Sequence, residues 1–306
     1  MFERMAVAYR TTLNLFVTSF RRWNRADARM HAAAIAYAAL FSLAPLVVLI
    51  FDAVRSFMST QRLLDLISTS IPGPVGMALR QLAQQVINNQ EPTSANPWVV
   101  AITLLMLAFG ASQLFLQLRR SLNWMYSLKR KPEHFGINTL SYLLDRIFGA
   151  VLVIAVGLGF VLVIMASLGF GIFSGGQNTG EARSPLSLSS LAVSYVVNVV
   201  IFALLFKFVP QATVRWRDVL PGALVTALLY FAGNVGVGIY FVFSHSVLRY
   251  GAASFVLVLL FWVYVMSLIV LFGAKFTEKY AALRGVPVKP DKVMEYVPDG
   301  ELAPTS

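Results

Sequence analysis

Six segments of this sequence are long, apolar and free of Asp, Glu, Lys and Arg. They span residues 31–50, 98–118, 147–173, 186–206, 219–243 and 251–273. A helix of about 20 apolar residues crosses the hydrocarbon core of a bilayer. The chain is also 58% hydrophobic and only 13% charged, with a mean hydropathy of +0.70, which excludes an ordinary soluble protein of this length. The segments predict an all-α, polytopic membrane protein with six transmembrane helices.

The regions outside the spans have distinct patterns. In residues 1–30, apolar side chains recur every three or four positions among arginines, which predicts a cytoplasmic amphipathic helix. We expect it to lie on the membrane interface or to pack on the ends of the spans, and the two are not exclusive. The transmembrane domain covers residues 31–276 and includes a helical extracytoplasmic loop at about 58–97. Residues 277–306 are predicted to form a flexible cytoplasmic tail.

The first span, residues 31–50, combines small residues with a proline. Small side chains at four-residue spacings let helix backbones approach closely in lipid. They are Ala32, Ala34, Ala36, Ala38 and Ser42. Pro45 removes a backbone donor and predicts a kink near Ser42, and Tyr37 lies about two turns before it. We interpret this span as a helix that faces protein or a cavity; the alternative is a kink kept only for packing.

The distribution of Lys and Arg predicts the orientation. With the amino terminus inside, residues 1–30, 119–146, 207–218 and 275–306 are cytoplasmic and contain 20 of the 25 basic residues. Cytoplasmic loops carry this excess in membrane proteins, so both termini are predicted to be cytoplasmic. The net charge of +11 is thereby explained without a nucleic-acid partner. The partners we expect are membrane lipids, with anionic headgroups at the cytoplasmic face, and a homo-oligomer is left open.

Short motifs recur in a characteristic order from about Asp27 to Phe276. They are AY at 36–37, SLAPL at 42–46, SQLF at 112–115, LRRSLN at 118–123, FVP at 208–210, LPGAL at 220–224, YGA at 250–252, WVY at 262–264 and GA at 273–274. In this order the chain resembles the YihY/BrkB family, once described as ribonuclease BN. The resemblance implies six spans in the bacterial inner membrane, and by analogy with members linked to serum resistance and lipid export it implies transport. Lys275 departs from the family, which commonly has glutamate there.

No catalytic or metal-binding constellation is evident in the sequence. With His245 on one side of the membrane and His31 and His134 on the other, the three histidines cannot share a metal ion. Cysteine is absent, and no phosphate loop appears. We expect no cofactor, no enzymatic activity and in particular no ribonuclease activity. The acids beside the span ends are interpreted as ion-pair partners: Asp145 of Arg146, Asp218 of Arg217, and Glu278 of Lys275 or Lys279.

Neutral polar side chains are the remaining candidates for a substrate pathway. The ten candidate positions are Tyr37, Ser42, Pro45, Gln113, Gln117, Asn123, Asn198, Asn234, Tyr240 and Tyr264. For each one alone, hydrogen bonding between helices is the alternative. Two functions follow: a transporter or flippase-like conduit for an amphipathic solute or envelope lipid, or a non-transporting scaffold that recruits partners. A conduit requires these side chains to converge on one cavity, whereas a scaffold leaves them dispersed.

Overall fold

The computed structural model of the protein describes residues 2–55, 97–131, 188–243, 252–291 and 294–297, and the single positions Leu64, Arg80 and Gln84. Within these residues the helices are α1 (Phe2–Arg25), α2 (Ala28–Arg55), α3 (Pro97–Met125), α4 (Leu188–Phe208), α5 (Trp216–Phe243) and α6 (Ala252–Leu283). The strands are β1 (Leu128–Arg130), β2 (Ala212–Thr213), β3 (Lys289–Pro290) and β4 (Met294–Tyr296). The described part of the chain is therefore mostly helical.

Helices α2 to α6 coincide with five of the six predicted spans. The remaining one, residues 147–173, lies outside the described residues, as does nearly all of the predicted loop at 58–97. Three described helical stretches are long and apolar enough to cross a membrane: Pro97–Met125, Trp216–Tyr240 and Val256–Leu283. The apolar stretch Tyr195–Phe208 is shorter. Helices α3 and α6 extend past the predicted carboxyl ends of their spans, at residues 118 and 273.

Helix α6 is the centre of the described bundle. It packs against α1, α2, α3 and α5, while α4 packs against α5. The main core lies where these helices meet, and Phe115, Leu122, Phe206, Val219 and Leu271 are all fully or almost fully buried there. The exposed apolar side chains point away from this core, as expected of helices whose outer faces contact lipid.

The α2–α3 and α5–α6 contacts depend on small residues. A Cβ atom on Gly110 of α3 would lie 2.6 Å from the carbonyl oxygen of Phe41 in α2, so the two backbones touch. A Cβ on Gly222 of α5 would collide with the Thr277 hydroxyl of α6, and one on Gly273 of α6 with the Thr226 hydroxyl of α5. This is the close backbone approach that small residues permit between helices in lipid.

One end of the bundle gathers four segments that contain Lys and Arg, residues 20–31, 119–131, 207–218 and 275–291, together with the strand segment 294–297, and we call it the basic end. Hydrogen bonds and an ion pair connect these segments. Trp124 Nε1 donates to the carbonyl of Ala26 at 3.1 Å, and Arg284 Nη1 lies 3.3 Å from Asp218 Oδ1. In the described part of the chain, α2 and α5 begin at this end while α3, α4 and α6 finish there, which are the directions that the predicted topology requires. Placing this end in the cytoplasm stays a prediction of the positive-inside rule.

The segment after α6 is folded where a flexible tail was predicted from residue 277. α6 itself continues to Leu283, β4 pairs antiparallel with β1, and β3 pairs antiparallel with β2. Met294 of β4 and the flanking Val288 and Val297 are buried. The prediction was wrong for this segment because the strands' partners lie far away in the sequence, where a local pattern cannot reveal them.

Helix α1 packs on α6. The ring of Phe16 lies 5.7 Å from that of Phe272 and 5.2 Å from that of Phe276, measured between centroids, and Trp23 meets Phe272 edge-on. Phe20, on the same predicted apolar face, is exposed beside the arginines of the last turn. Packing on the ends of the spans and an exposed amphipathic surface thus coexist, as the two interpretations of residues 1–30 allow.

Candidate functional site at the basic end

The candidate pathway residues of α2 lie on different faces of the helix. Tyr37 is 62% exposed and packs edge-on against Phe41, with ring centroids 5.0 Å apart. Ser42 is buried and donates from Oγ to the carbonyl of Ala39 at 3.0 Å. Pro45 lies inside α2 and is half-buried. Tyr37 and Ser42 therefore do not line a common surface.

The candidates on α3 make short-range bonds or are half-buried. Gln117 donates from Nε2 to Ser121 Oγ at 3.4 Å, and the same hydroxyl lies 3.2 Å from His31 Nδ1 of α2. Gln113, one turn earlier on the same face, is half-buried. Gln117 thus belongs to a polar contact between α2 and α3.

Asn123 holds a loop rather than lining a pathway. Its side chain, on the last turn of α3, donates to Gln211 Oε1 at 3.1 Å and accepts from the Gln211 backbone N–H at 2.8 Å. The neighbouring Arg119 donates to the carbonyl of Val209 at 3.3 Å. These three bonds fasten the α4–α5 connection, residues 209–215, to α3.

Among the candidates on α4 to α6, Asn234 forms a hydrogen bond between helices. Asn234 of α5 donates to the carbonyl of Tyr230 at 2.9 Å and accepts from Trp262 Nε1 of α6 at 3.0 Å. Tyr240 is 51% exposed and stacks on Phe261. Asn198 and Tyr264 are half-buried. The Asn234–Trp262 bond is the interhelical hydrogen bonding that the alternative interpretation predicts.

Sequence reasoning missed how a buried charge cluster joins α6 to β4 and to the turn between α3 and β1. Lys275 Nζ lies 3.3 Å from Glu278 Oε2 and donates to Ser127 Oγ at 2.9 Å. Lys279 Nζ lies 3.2 Å from Glu278 Oε1, which also accepts from the Tyr296 hydroxyl at 3.4 Å. Glu278 thus pairs with both lysines named from the sequence. Asp218, in contrast, pairs with Arg284 and not with the adjacent Arg217.

Tyr126 is completely buried next to this cluster. Its hydroxyl donates to the carbonyl of Phe206 at 3.4 Å. Burial raises the pKa of Tyr126 well above the ordinary phenol value, and the nearby negative charge of Glu278 raises it further. The phenol therefore stays protonated and acts as a hydrogen-bond donor that ties α3 to α4.

A cavity of about 640 Å³ opens at the basic end between the α4–α5 connection and the segment after α6. Its lining residues are Lys207, Thr213, Val214, Arg215, Trp216, Arg217, Asp218, Ala281, Val286, Pro287, Val288 and Lys289. This volume falls within the roughly 300–1,000 Å³ of small-molecule sites. None of the ten pathway candidates lines it.

The cavity is strongly positive. Four of its lining side chains are cations, and its one lining carboxylate, Asp218, is paired with Arg284. The Lys207 ammonium donates to the carbonyl of Val214 and lies 5.8 Å from the Trp216 ring centroid. The sequence pattern Arg215-Trp216-Arg217 was a signal for such a site. The basic loops were interpreted as topogenic and lipid-facing and not as a site, because the pairing of β2 with β3 that brings Lys289 to the cavity is not visible locally.

Among the described residues, no three His, Cys, Asp or Glu side chains lie close enough together to hold a metal ion. The chemistry that this end of the molecule offers is therefore that of fixed positive charges, an amphipathic aromatic ring and buried ion pairs. Such groups bind anions and hold helices together.

Comparisons with known proteins identify relatives that are described as membrane proteins. The chain is 29% identical over 264 residues to a UPF0761 membrane protein of Stenotrophomonas maltophilia strain K279a, covering 84% of this chain and 58% of the relative. It is 27% identical over 288 residues to a UPF0761 membrane protein of Rhodospirillum centenum, covering 92% and 60%. The chain thus spans about three fifths of the length of these relatives. No solved structure matches it.

The family comparison covers most of the chain. Residues 19–292 match the model of the family described as virulence factor BrkB, a range that includes five of the six described helices in full and the strands β1, β2 and β3. The curated relatives are membrane proteins, and three described stretches are able to cross a bilayer. The chain is therefore an integral membrane protein that belongs to the BrkB family.

Proposed function

We propose that this protein is a transporter or flippase-like conduit for an amphipathic solute, such as an envelope lipid, in the bacterial inner membrane with both termini cytoplasmic. The observation that carries the proposal is the positive cavity at the basic end, directly beside helix faces that are apolar and exposed. An amphipathic solute needs both surfaces, one for its polar head and one for its chains.

The outer face of α5 supplies the apolar surface. Exposed apolar side chains recur along it at helical spacing, beginning next to the cavity: Leu220, Leu224, Leu228, Phe231, Val235 and Ile239. Phe208 and Trp216 meet at the start of this stripe, with ring centroids 6.1 Å apart. A headgroup in the cavity leaves its acyl chains in the lipid along α5, so a solute can enter sideways from the bilayer.

The absence of charged residues from the six predicted spans bears on the energy source. Ion-coupled carriers usually keep an ionisable group deep in the membrane, since its protonation drives the cycle. We propose that movement here is not coupled to a buried carboxylate in the spans and that the chain catalyses no covalent reaction.

Transport is tested in proteoliposomes. Full-length protein is reconstituted with fluorescent phospholipids, and lipid movement is followed by reduction of the fluorophore with a membrane-impermeant reagent. We expect wild-type protein to increase the accessible fraction beyond the half that empty liposomes show. Should no amphipathic solute in a panel of anionic and neutral lipids move faster than in empty liposomes, the conduit proposal is wrong.

The scaffold remains the second candidate, and one observation favours it. Among the described residues, the polar side chains proposed for a pathway bond in separate places: Ser42 within α2, Gln117 between α2 and α3, Asn123 with a loop, and Asn234 between α5 and α6. A scaffold would use the arginines of α1 and the basic end to hold partners at the membrane. Failure of transport together with intact membrane insertion would leave this function.

A further inference from the structure

We propose that the cavity at the basic end is a binding site for the phosphate group of a membrane amphipath, held by Lys207, Arg215, Arg217 and Lys289. This deepens the proposed function, on which it rests, by naming the chemical class of the substrate's polar head. Phosphate is the anion that several Lys and Arg side chains around one cavity recognise best, because they supply both charge and multiple N–H donors.

Charge balance is the first argument for an anion. Arg215, Arg217 and Lys289 have no carboxylate partner among the residues that the structure describes, and Asp218 is neutralised by Arg284. Like charges gathered around a concave surface repel one another, and its walls focus their field toward the opening. An anion in the cavity would remove this repulsion, whereas the one acidic residue of the described lining, Asp218, is already paired with Arg284.

The cations are also positioned by the fold. The Lys207 ammonium is held by its bond to Val214 and by the ring of Trp216. Pairing of β2 with β3 sets Lys289 opposite Thr213, whose hydroxyl donates to the Lys289 carbonyl at 3.4 Å. Arg217 belongs to the first turn of α5, where the helix dipole adds to the positive potential. The site is therefore built by three chain segments that come together only in the folded protein.

The surroundings point to a lipid rather than a soluble phosphate. Trp216 is 46% exposed at the rim, and an amphipathic indole is typical of the level of lipid headgroups. Leu220 and Leu224 continue outward from the rim along α5. A free phosphate would use the cations alone, whereas the phosphate of a phospholipid would also use this apolar surface for its chains.

The test measures quenching of tryptophan fluorescence by phosphatidylglycerol with brominated acyl chains. The full chain is reconstituted in phosphatidylcholine nanodiscs, and brominated phosphatidylglycerol is titrated in as a rising mole fraction. We expect saturable quenching at low mole fraction that is lost in Trp216→Phe. The double variant Arg215→Gln/Arg217→Gln should need about tenfold more brominated lipid, since each basic group near an anionic surface contributes to binding.

The matched control is Arg21→Gln/Arg25→Gln, which removes the same charge from α1 at two exposed residues that do not line the cavity. It should change the titration by less than about twofold. An equal effect of the control, or equal quenching by brominated phosphatidylcholine, would overturn the site. Lys289→Gln serves as a second variant if the double arginine variant does not fold, because the Thr213 bond uses the Lys289 backbone.

Two further experiments distinguish a lipid from a soluble phosphate as the ligand, and failure of the binding site from failure of the conduit. If inorganic phosphate at millimolar concentration displaces brominated phosphatidylglycerol as effectively as unlabelled phosphatidylglycerol does, a lipid is not the source and the proposal is wrong. If wild-type protein binds phosphatidylglycerol at this site but moves no lipid in proteoliposomes, the conduit fails and the binding site stands. If binding is unselective while transport persists, the site fails and the conduit stands.

Discussion

Gly110 of α3 packs against the backbone of Phe41 in α2 so closely that a Cβ atom there would lie 2.6 Å from the Phe41 carbonyl oxygen. That carbonyl is the one whose helical partner is missing, because Pro45 is four residues later and has no N–H to donate. Pro45 of α2 and Gly110 of α3 therefore both affect the surroundings of the Phe41 carbonyl. The crossing of the two helices occurs where the helical hydrogen-bond ladder is interrupted.

The first prediction concerns this crossing. Gly110→Ala should lower the free energy of unfolding by about 1–3 kcal/mol, because the helix backbones must move apart. Gly236→Ala is the matched control: it also replaces a helical glycine, but a Cβ there meets no atom within 4 Å. That variant should be neutral or more stable by about 0.5–1 kcal/mol. Intrinsic tryptophan fluorescence on heating in detergent measures both, and equal melting temperatures would contradict the packing argument.

Pro45→Ala tests whether the kink serves function. The alanine restores a backbone donor for the Phe41 carbonyl, so the melting temperature should stay equal or rise. Lipid movement in proteoliposomes should fall if the bent helix shapes a conduit. Ala36→Leu should instead lower stability, since Ala36 is buried and a larger side chain would push a neighbouring helix away. Full activity of a stable Pro45→Ala protein would leave the kink with a packing role only.

The buried pair of Lys275 and Glu278 gives a third prediction. Lys275→Met leaves Glu278 with Lys279 alone and should destabilise the protein by about 3–5 kcal/mol, the usual effect of breaking a buried ion pair. Lys275→Glu should be worse, because two carboxylates then meet one turn apart. Adding Glu278→Lys to that variant should restore part of the loss. Failure of this charge reversal to restore any stability would show that the pair's orientation toward Ser127, and not its charge, matters.

Topology is tested by cysteines, since the chain has none of its own. Asn88→Cys and Gln177→Cys should react with an impermeant thiol reagent in intact cells, whereas Glu133→Cys and Thr305→Cys should react only after permeabilisation. All four positions lie outside the described residues, so the result depends on the predicted spans and not on local packing. Labelling of Glu133→Cys in intact cells would overturn the six-span topology.

The last prediction is negative and concerns ribonuclease activity. Purified protein should leave RNA intact with added magnesium, manganese or zinc, because the sequence contains no ligand cluster with catalytic spacing. Cleavage that copurifies with the chain and disappears in a point variant would contradict it.

The helices were the predictable part of the fold. A run of about 20 residues without charge has few alternatives in a chain of this composition, so five predicted spans coincide with α2 to α6. The small residues of α2 were also informative, since Ala32, Ala36 and Ser42 are buried. The local sequence pattern could not show which distant residues these segments contact. Ser42 lies against Gly110, and the two-residue strand at Lys289 pairs with the strand that contains Ala212.

The candidate site was predicted less well, for a physical reason. Neutral polar residues within a span are natural candidates for a pathway because they are rare in lipid. In the described helices, however, the Ser42 hydroxyl and the Asn234 amide donate to backbone carbonyls about one turn away. The cations of the cavity are common residues in a basic loop. They become a candidate site only because Arg215, Arg217 and Lys289 line one cavity, and the pairing of β2 with β3 that brings Lys289 there exists only in the folded chain.

The strand pairs also impose an order on biogenesis. α2 and α3 can associate soon after they enter the membrane, but β1 and β2 wait for β4 and β3, which follow all six described helices in the chain. Until then Leu128–Arg130 and Ala212–Thr213 have no strand partner, and the cation of Lys289 is missing from the cavity. A nascent chain stopped after Leu283 would thus hold all six described helices and still lack part of the cavity lining, which is complete only once the segment after α6 has been made.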